Sequence, residues 1–127
     1  ILNVASSAGL FPAGPYMATY YATKSYVTSL TRAVALELKE KKSNVYVGAL
    51  CPGPVDTEFN KVANVEFAIP SITPTYCASY AIRKMEKRKI VIVPKNKMKV
   101  LAFISRVLPQ SLVIRMTARQ QKKKRNW

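Results

Sequence analysis

Apolar residues fall along this chain in two patterns, short continuous runs that suit buried strands and longer stretches with helical spacing. Ile1-Leu2-Asn3-Val4-Ala5-Ser6 is the first short run and reads as a buried strand entered in mid-course. A Gly/Pro-punctuated loop follows, from Gly9 to Pro15. From about Tyr16 to Lys42 there is neither Gly nor Pro, and Val27, Leu30, Val34 and Leu38 recur at three- and four-residue spacing. That spacing predicts a long helix with one apolar stripe, and Lys39, Lys41 and Lys42 suit its negative C-terminal end.

Val45-Tyr46-Val47-Gly48-Ala49-Leu50 predicts a second buried strand, stopped by Cys51-Pro52-Gly53-Pro54. After an irregular stretch to Pro70, Ser71 or Thr73 can cap a helix that has Pro74 in its first turn and runs to about Lys87. Ile90-Val91-Ile92-Val93 is a third strand, closed by Pro94. Strands alternating with helices, joined by crossovers of ten or more residues, predict an α/β fold with a parallel sheet. Beyond Pro94 the pattern changes to two basic amphipathic helices, Met98 to Leu108 and Ser111 to Lys124, separated by Pro109 and without a strand partner.

Composition narrows the chemistry. A chain of 127 residues with 49% hydrophobic and 21% charged residues can build one domain with a core and is not a disordered polymer. It has no histidine, so triads that need an imidazole base are excluded, and a structural zinc site has almost no ligands. The two cysteines, Cys51 and Cys77, do not suggest a disulfide framework, so a reducing, cytoplasmic setting is expected. No apolar run approaches the length of a membrane-spanning helix.

The net charge of +15 is localised rather than general. Residues 1–82 carry six basic and five acidic groups, whereas residues 83–127 carry fifteen basic groups and one acid, Glu86, ending in Lys122-Lys123-Lys124-Arg125. The tail, 95–127, could therefore cover a cleft or pack on a subunit, or lie on an anionic membrane through Val100, Leu101, Phe103, Ile104, Leu108, Leu112, Val113 and Ile114. A nucleic-acid contact is disfavoured because no reader motif is present.

Without histidine, proton transfer must use another acid, and Tyr20 with Lys24 is the candidate. At i and i+4 on a helix the phenol and the ammonium share a face, and the cation can draw a phenol pKa down from about 10. Seven tyrosines in a lysine-rich chain give on the order of one such spacing by chance, and Tyr80/Lys84 repeats it. Context separates the two pairs: only Tyr20 follows a strand that ends in serine, where open α/β sheets place their ligands. Tyr80/Lys84 is expected to be an ordinary helix face.

Three motifs in order, Asn3-Val4-Ala5-Ser6-Ser7-Ala8-Gly9, Tyr20-Tyr21-Ala22-Thr23-Lys24 and Cys51-Pro52-Gly53-Pro54-Val55-Asp56-Thr57, resemble the second half of the short-chain dehydrogenase/reductases. The resemblance covers roughly residues 1–93 and is closest to bacterial members with hydrophobic, basic C-terminal extensions. It implies the C-terminal half of a doubly wound Rossmann-like parallel sheet, about three strands, with a catalytic half at 1–94 and a basic helical extension at 95–127. No Gly-rich turn follows a first strand, and the family's active-site asparagine, which Asn3 is not, has no counterpart, so the chain is expected to represent one half of such an enzyme.

Position by position, the resemblance implies Tyr20 as general acid/base and as a cofactor contact, and Lys24 as the group that lowers its pKa and holds the nicotinamide ribose. The substrate-holding serine is Ser6 by the Asn-x-x-Ser and Ser-x-x-Gly registers and Ser7 by a thirteen-residue interval to Tyr20; Ser6 is preferred, with Ser7 as a loop-capping hydroxyl. Pro52, Gly53, Val55 and Thr57 resemble the segment that closes over the nicotinamide, Val55 reading its carboxamide through the backbone and Thr57 binding carboxamide or pyrophosphate. The implied cofactor is NAD or NADP, with NADP slightly favoured. The implied substrate is a small carbonyl or alcohol, and the implied assembly is a homo-oligomer through the long helix 16–42. The alternative from another class is a non-catalytic basic module on an anionic membrane or nucleic acid, with the dehydrogenase half as scaffold.

Overall fold

A computed structural model describes residues 1–62 and 69–124. The last residue of the basic run, Arg125, and much of the stretch expected to be irregular before Pro70 lie outside the described residues. The strands β1 (Leu2–Val4), β2 (Gly48–Leu50) and β3 (Val91–Ile92) form one parallel sheet in the order β1-β2-β3. Leu2 pairs with Gly48 and Val4 with Leu50, while Ala49 pairs with Val91 and Leu50 with Ile92.

Each strand is shorter than its apolar run: β1 is cut back chiefly at its C-terminal side, β2 at its N-terminal side and β3 at both. At the end of β1 the ladder continues through Ala5 N–H to the Leu50 carbonyl (2.8 Å), then Ser6 caps a 3-10 turn over Ser7–Leu10. Before β2, Val45 is exposed, and the Tyr46 hydroxyl donates to the Lys89 carbonyl at 2.6 Å.

Alternation along the central strand divides the core in two. Ala49 and Cys51 face one side with Ala5, Val93 and Met98; Leu50 faces the other with Cys77, Ala81 and Ile92. Helix α1 (Ala18–Glu40) and helix α4 (Asn96–Val107) supply Val27 and Leu101 to the first face, and helix α3 (Pro74–Glu86) covers the second. With both faces covered, β2 has no polar side, which is why its sequence runs apolar without alternation.

The buried side of α1 only partly follows the aliphatic stripe its spacing predicts: Val27 packs against the core and Val34 and Leu38 are half-buried, but the most buried positions lie beside the stripe. Tyr21, Thr28 and Thr31 are buried, whereas Leu30 is 46% exposed. Thr28 and Thr31 return their hydroxyls to the Lys24 and Val27 carbonyls at 2.9 and 2.7 Å, so a short polar side chain is buried at little cost. Their small size lets the helix approach the 3-10 turn so closely that a Cβ on Gly9 would lie 2.5 Å from the Lys24 carbonyl oxygen.

Of the two expected caps for α3, Thr73 is the one used: its hydroxyl accepts from the Tyr76 amide at 3.2 Å, with Pro74 opening the helix. A short helix α2 (Glu58–Val62) forms inside the stretch expected to be irregular. The tail folds as α4 and α5 (Gln110–Lys124), broken at Pro109 as its sequence predicts, and Met98 joins the core beneath.

Candidate active site

The C-terminal ends of β1 and β2, the first turns of α1, helix α2 and the two tail helices enclose a cavity of about 600 Å³. Ser6, Ser7, Tyr20, Lys24, Pro52, Gly53, Val55 and Thr57 all line it, so three separate stretches of chain converge there. The sheet explains the convergence, because parallel strands deliver their outgoing loops to one edge.

Lys24 reaches from α1 to the end of β1, where its ammonium donates to the Val4 carbonyl at 3.3 Å and stands 5.8 Å from the centre of the Tyr20 ring. Tyr20 stacks on Phe59 of α2, ring centres 6.2 Å apart. Its neighbour Tyr21 is a different kind of group. Burial raises the Tyr21 phenol pKa, against the hydrogen bond it receives from Gln121, so Tyr21 stays a neutral structural hydroxyl.

The capping role expected of Ser7 falls to Ser6, whose Oγ accepts from the Ala8 amide at 3.2 Å. That bond uses Oγ as an acceptor and leaves the hydroxyl proton available for donation. Val55 forms an isolated parallel bridge with Ile72 through the Pro54 carbonyl and the Asp56 amide. Val55's own peptide groups therefore face the opposite edge, where Asn60 donates to its carbonyl at 2.9 Å. Cys51, beneath the site, is an inert thiol: burial pushes its pKa up, and its nearest polar partner is Thr28 at 3.8 Å.

Tyr80/Lys84 is not an idle helix face. The Lys84 ammonium lies 5.2 Å from the Tyr80 ring centre, as close as in the Tyr20 pair, and Lys99 of α4 donates to the Tyr80 hydroxyl at 2.8 Å. Burial would raise this phenol, but the two lysines outweigh it and its pKa falls below the usual value. The pair does not line the cavity, so local geometry is shared and only placement differs.

The tail helices cover the cavity as a lid, one of the uses their sequence suggested. Met98, Leu101, Ile104, Leu108, Val113 and Met116 form its apolar wall over the cavity. Gln121, 1% exposed, ties α5 to α1 by donating to the Tyr21 hydroxyl at 2.8 Å, one hundred residues away in sequence, and its Oε1 has no partner. Lys122 adds a contact of 5.4 Å to the Tyr16 ring. Helix α2 with Phe59 and Asn60 was also missed; Glu58 at its start is the one available signal.

Gln121→Leu should loosen this lid. It leaves the buried Tyr21 hydroxyl unpaired, at a cost of about 1–3 kcal/mol, and the lower end is expected because the unpartnered Oε1 is removed too. Faster trypsin cleavage within α5, with unchanged protection of the sheet, is the expected measurement.

The comparisons with known proteins bear on the family and the fold. The family model described as short chain dehydrogenase matches residues 1–66, just over half of the chain. A D-beta-hydroxybutyrate dehydrogenase of Rhizobium meliloti is 46% identical over 57 residues, 45% of this chain and 21% of that protein. A short-chain dehydrogenase from Sphingobium yanoikuyae, solved in complex with NADPH, superposes with a TM-score of 0.65 at 25% identity over 84% of this chain and 43% of its own. A Burkholderia cenocepacia short chain dehydrogenase, in complex with NADP, shares the fold with a TM-score of 0.72 at 20% identity, covering 92% of this chain and 47% of that one. The chain thus spans about a fifth of that curated relative and under half of these solved chains.

Proposed function

Because the chain belongs to the short-chain dehydrogenase family, we propose that the whole protein is a nicotinamide-dependent oxidoreductase interconverting a carbonyl and an alcohol. The observation that carries this reading is the meeting of Ser6, Tyr20 and Lys24 with the Pro52-to-Thr57 loop around one cavity. Residues 1–94 form the catalytic half and 95–127 its cover.

The donor set fits a nicotinamide nucleotide, with the Lys24 ammonium for ribose hydroxyls and the Val55 peptide and Thr57 hydroxyl for the carboxamide, over the Pro52-Gly53 turn. When bound, NAD or NADP would supply or accept the hydride. The chain's own residues handle the oxygen. Tyr20 gives its proton to the substrate oxygen in reduction and takes it back in oxidation, the role an absent histidine would otherwise fill. Lys24 places its cation on the same helix face, and Ser6 donates a hydrogen bond from its hydroxyl to the same oxygen.

The lid narrows the substrate. Ser105 and Thr117 line the cavity, yet their hydroxyls donate to the Ala102 and Val113 carbonyls at 2.7 and 2.9 Å, so that wall offers mainly hydrocarbon and suits a carbonyl compound with an apolar body. On the far side of α1, exposed Tyr26 and Leu30 lie one turn apart and suit contact with a second copy of the chain.

Incubating the whole protein with reduced NAD or NADP and a series of apolar ketones tests the reading. Ketone-dependent loss of the reduced-nicotinamide absorbance is expected; no cofactor binding and no turnover with any of them would overturn it.

A further inference from the structure

Helix α4 is apolar on two opposite sides, and only one of them is used. Met98, Ala102 and Ser105 are buried inward, and Met98, Leu101 and Ser105 line the cavity. At one hundred degrees per residue, Val100, Phe103 and Val107 fall together on the opposite side, at 56%, 69% and 70% exposure. Lys99 and Arg106 border this stripe on one flank, and Lys97 with Ile104 borders it on the other. On α5, exposed Leu112 shares a face with Arg115 and Arg119.

We propose that this outer face of α4 docks on an anionic lipid surface. Its composition selects that occupant over the others. An aliphatic and aromatic stripe rimmed by cations matches a headgroup-acyl boundary, where the stripe enters the hydrocarbon and the ammonium groups stay with the phosphates. Nucleic acid would satisfy the cations but leave Phe103 and Val107 without a partner. A second copy in the same orientation would set like charges against each other, since no acidic residue follows Glu86 in the chain. Contact is peripheral, as no helix among the described residues is long and apolar enough to cross a membrane.

The two uses expected for the tail as alternatives are thereby divided between two sides of one helix. Leu101, Ile104, Leu108 and Val113, expected to share a membrane face with Phe103, instead line the cavity. The lid stands between the cavity and the bilayer, and the proposal does not depend on the dehydrogenase reading.

Flotation of the whole protein with vesicles tests this directly. Binding to vesicles of equal parts phosphatidylglycerol and phosphatidylcholine is expected, with little binding to phosphatidylcholine alone, and it should weaken about tenfold from low to high salt. Phe103→Ser with Val107→Ser, and separately Lys97→Glu with Arg106→Glu, should each lower binding about tenfold or more. None of these four residues lines the cavity, so turnover should not change. Binding to neither vesicle, equal binding to both, or wild-type binding by the serine pair with its circular dichroism intact would overturn the proposal. So would DNA binding that the serine pair retains, or a dimer that the serine pair dissociates in the absence of lipid binding.

Discussion

Tyr20→Phe is expected to lower turnover by about 10²–10⁴-fold while leaving nicotinamide affinity nearly unchanged. The substitution removes one hydroxyl. The ring remains to stack on Phe59, and the Lys24 ammonium keeps its bond to the Val4 carbonyl, so most of what is assigned to the cofactor stays in place. Tyr80→Phe is the internal control. It carries the same phenol-lysine spacing and a lowered pKa, yet stands outside the cavity, so turnover should stay at the wild-type level. Steady-state kinetics and cofactor titration of the two variants side by side separate an acid at the site from a phenol that merely has lysine neighbours. Wild-type turnover by Tyr20→Phe would sink the assignment.

Gly9→Val is expected to be the most damaging small substitution near the site, destabilising the fold by about 1–3 kcal/mol or more. A Cβ at Gly9 would lie 2.5 Å from the Lys24 carbonyl oxygen and 2.6 Å from the Thr28 hydroxyl. The first of these atoms is helix backbone and cannot swing aside. Either the 3-10 turn or the second turn of α1 must move, and the movement separates Ser6 from Lys24 because they sit on the two elements forced apart. A lower urea midpoint together with lost turnover is expected. Gly53→Ala is a useful contrast, because its Cβ would meet the flexible Met98 side chain at 3.1 Å and that chain can give way.

Much of the fold was legible because the burial it needs leaves a one-dimensional trace. Short apolar runs ending at Ser6, Leu50 and Val93 marked the three described strands, but only β2 is buried throughout; β1, expected to be a buried strand, lies at the edge of the described sheet, with Asn3 inside it and Val4 63% exposed. Pro74 and Pro109 marked helix boundaries through their missing amides and fixed φ. The side of α1 that turns inward was only partly legible. Aliphatic spacing pointed through Leu30, but close approach to Gly9 required small residues, and Thr28 and Thr31 could be buried because each carries its own acceptor four residues back. Helix α2 was hidden for a different reason: at Glu58–Val62 it is too short to leave a periodic signal.

The site divides in the same way. Its residue types were readable because proton transfer without histidine leaves few candidates, and the strand-end serine, the Tyr20/Lys24 spacing and the Pro52-Gly53 turn occur in one order along the chain. The bond from Gln121 to Tyr21 was not readable, since it joins positions one hundred residues apart and Gln121 belongs to no motif.

The sequence by itself determined the element order, the parallel α/β class and the set of groups able to move a proton, because each depends on local pattern or on which side chains exist. Only the tertiary structure decided which serine carries the cap and which side of each tail helix faces the cavity. Those outcomes depend on how close two backbones can approach and on where distant segments meet, and a linear pattern of apolar and polar residues carries neither.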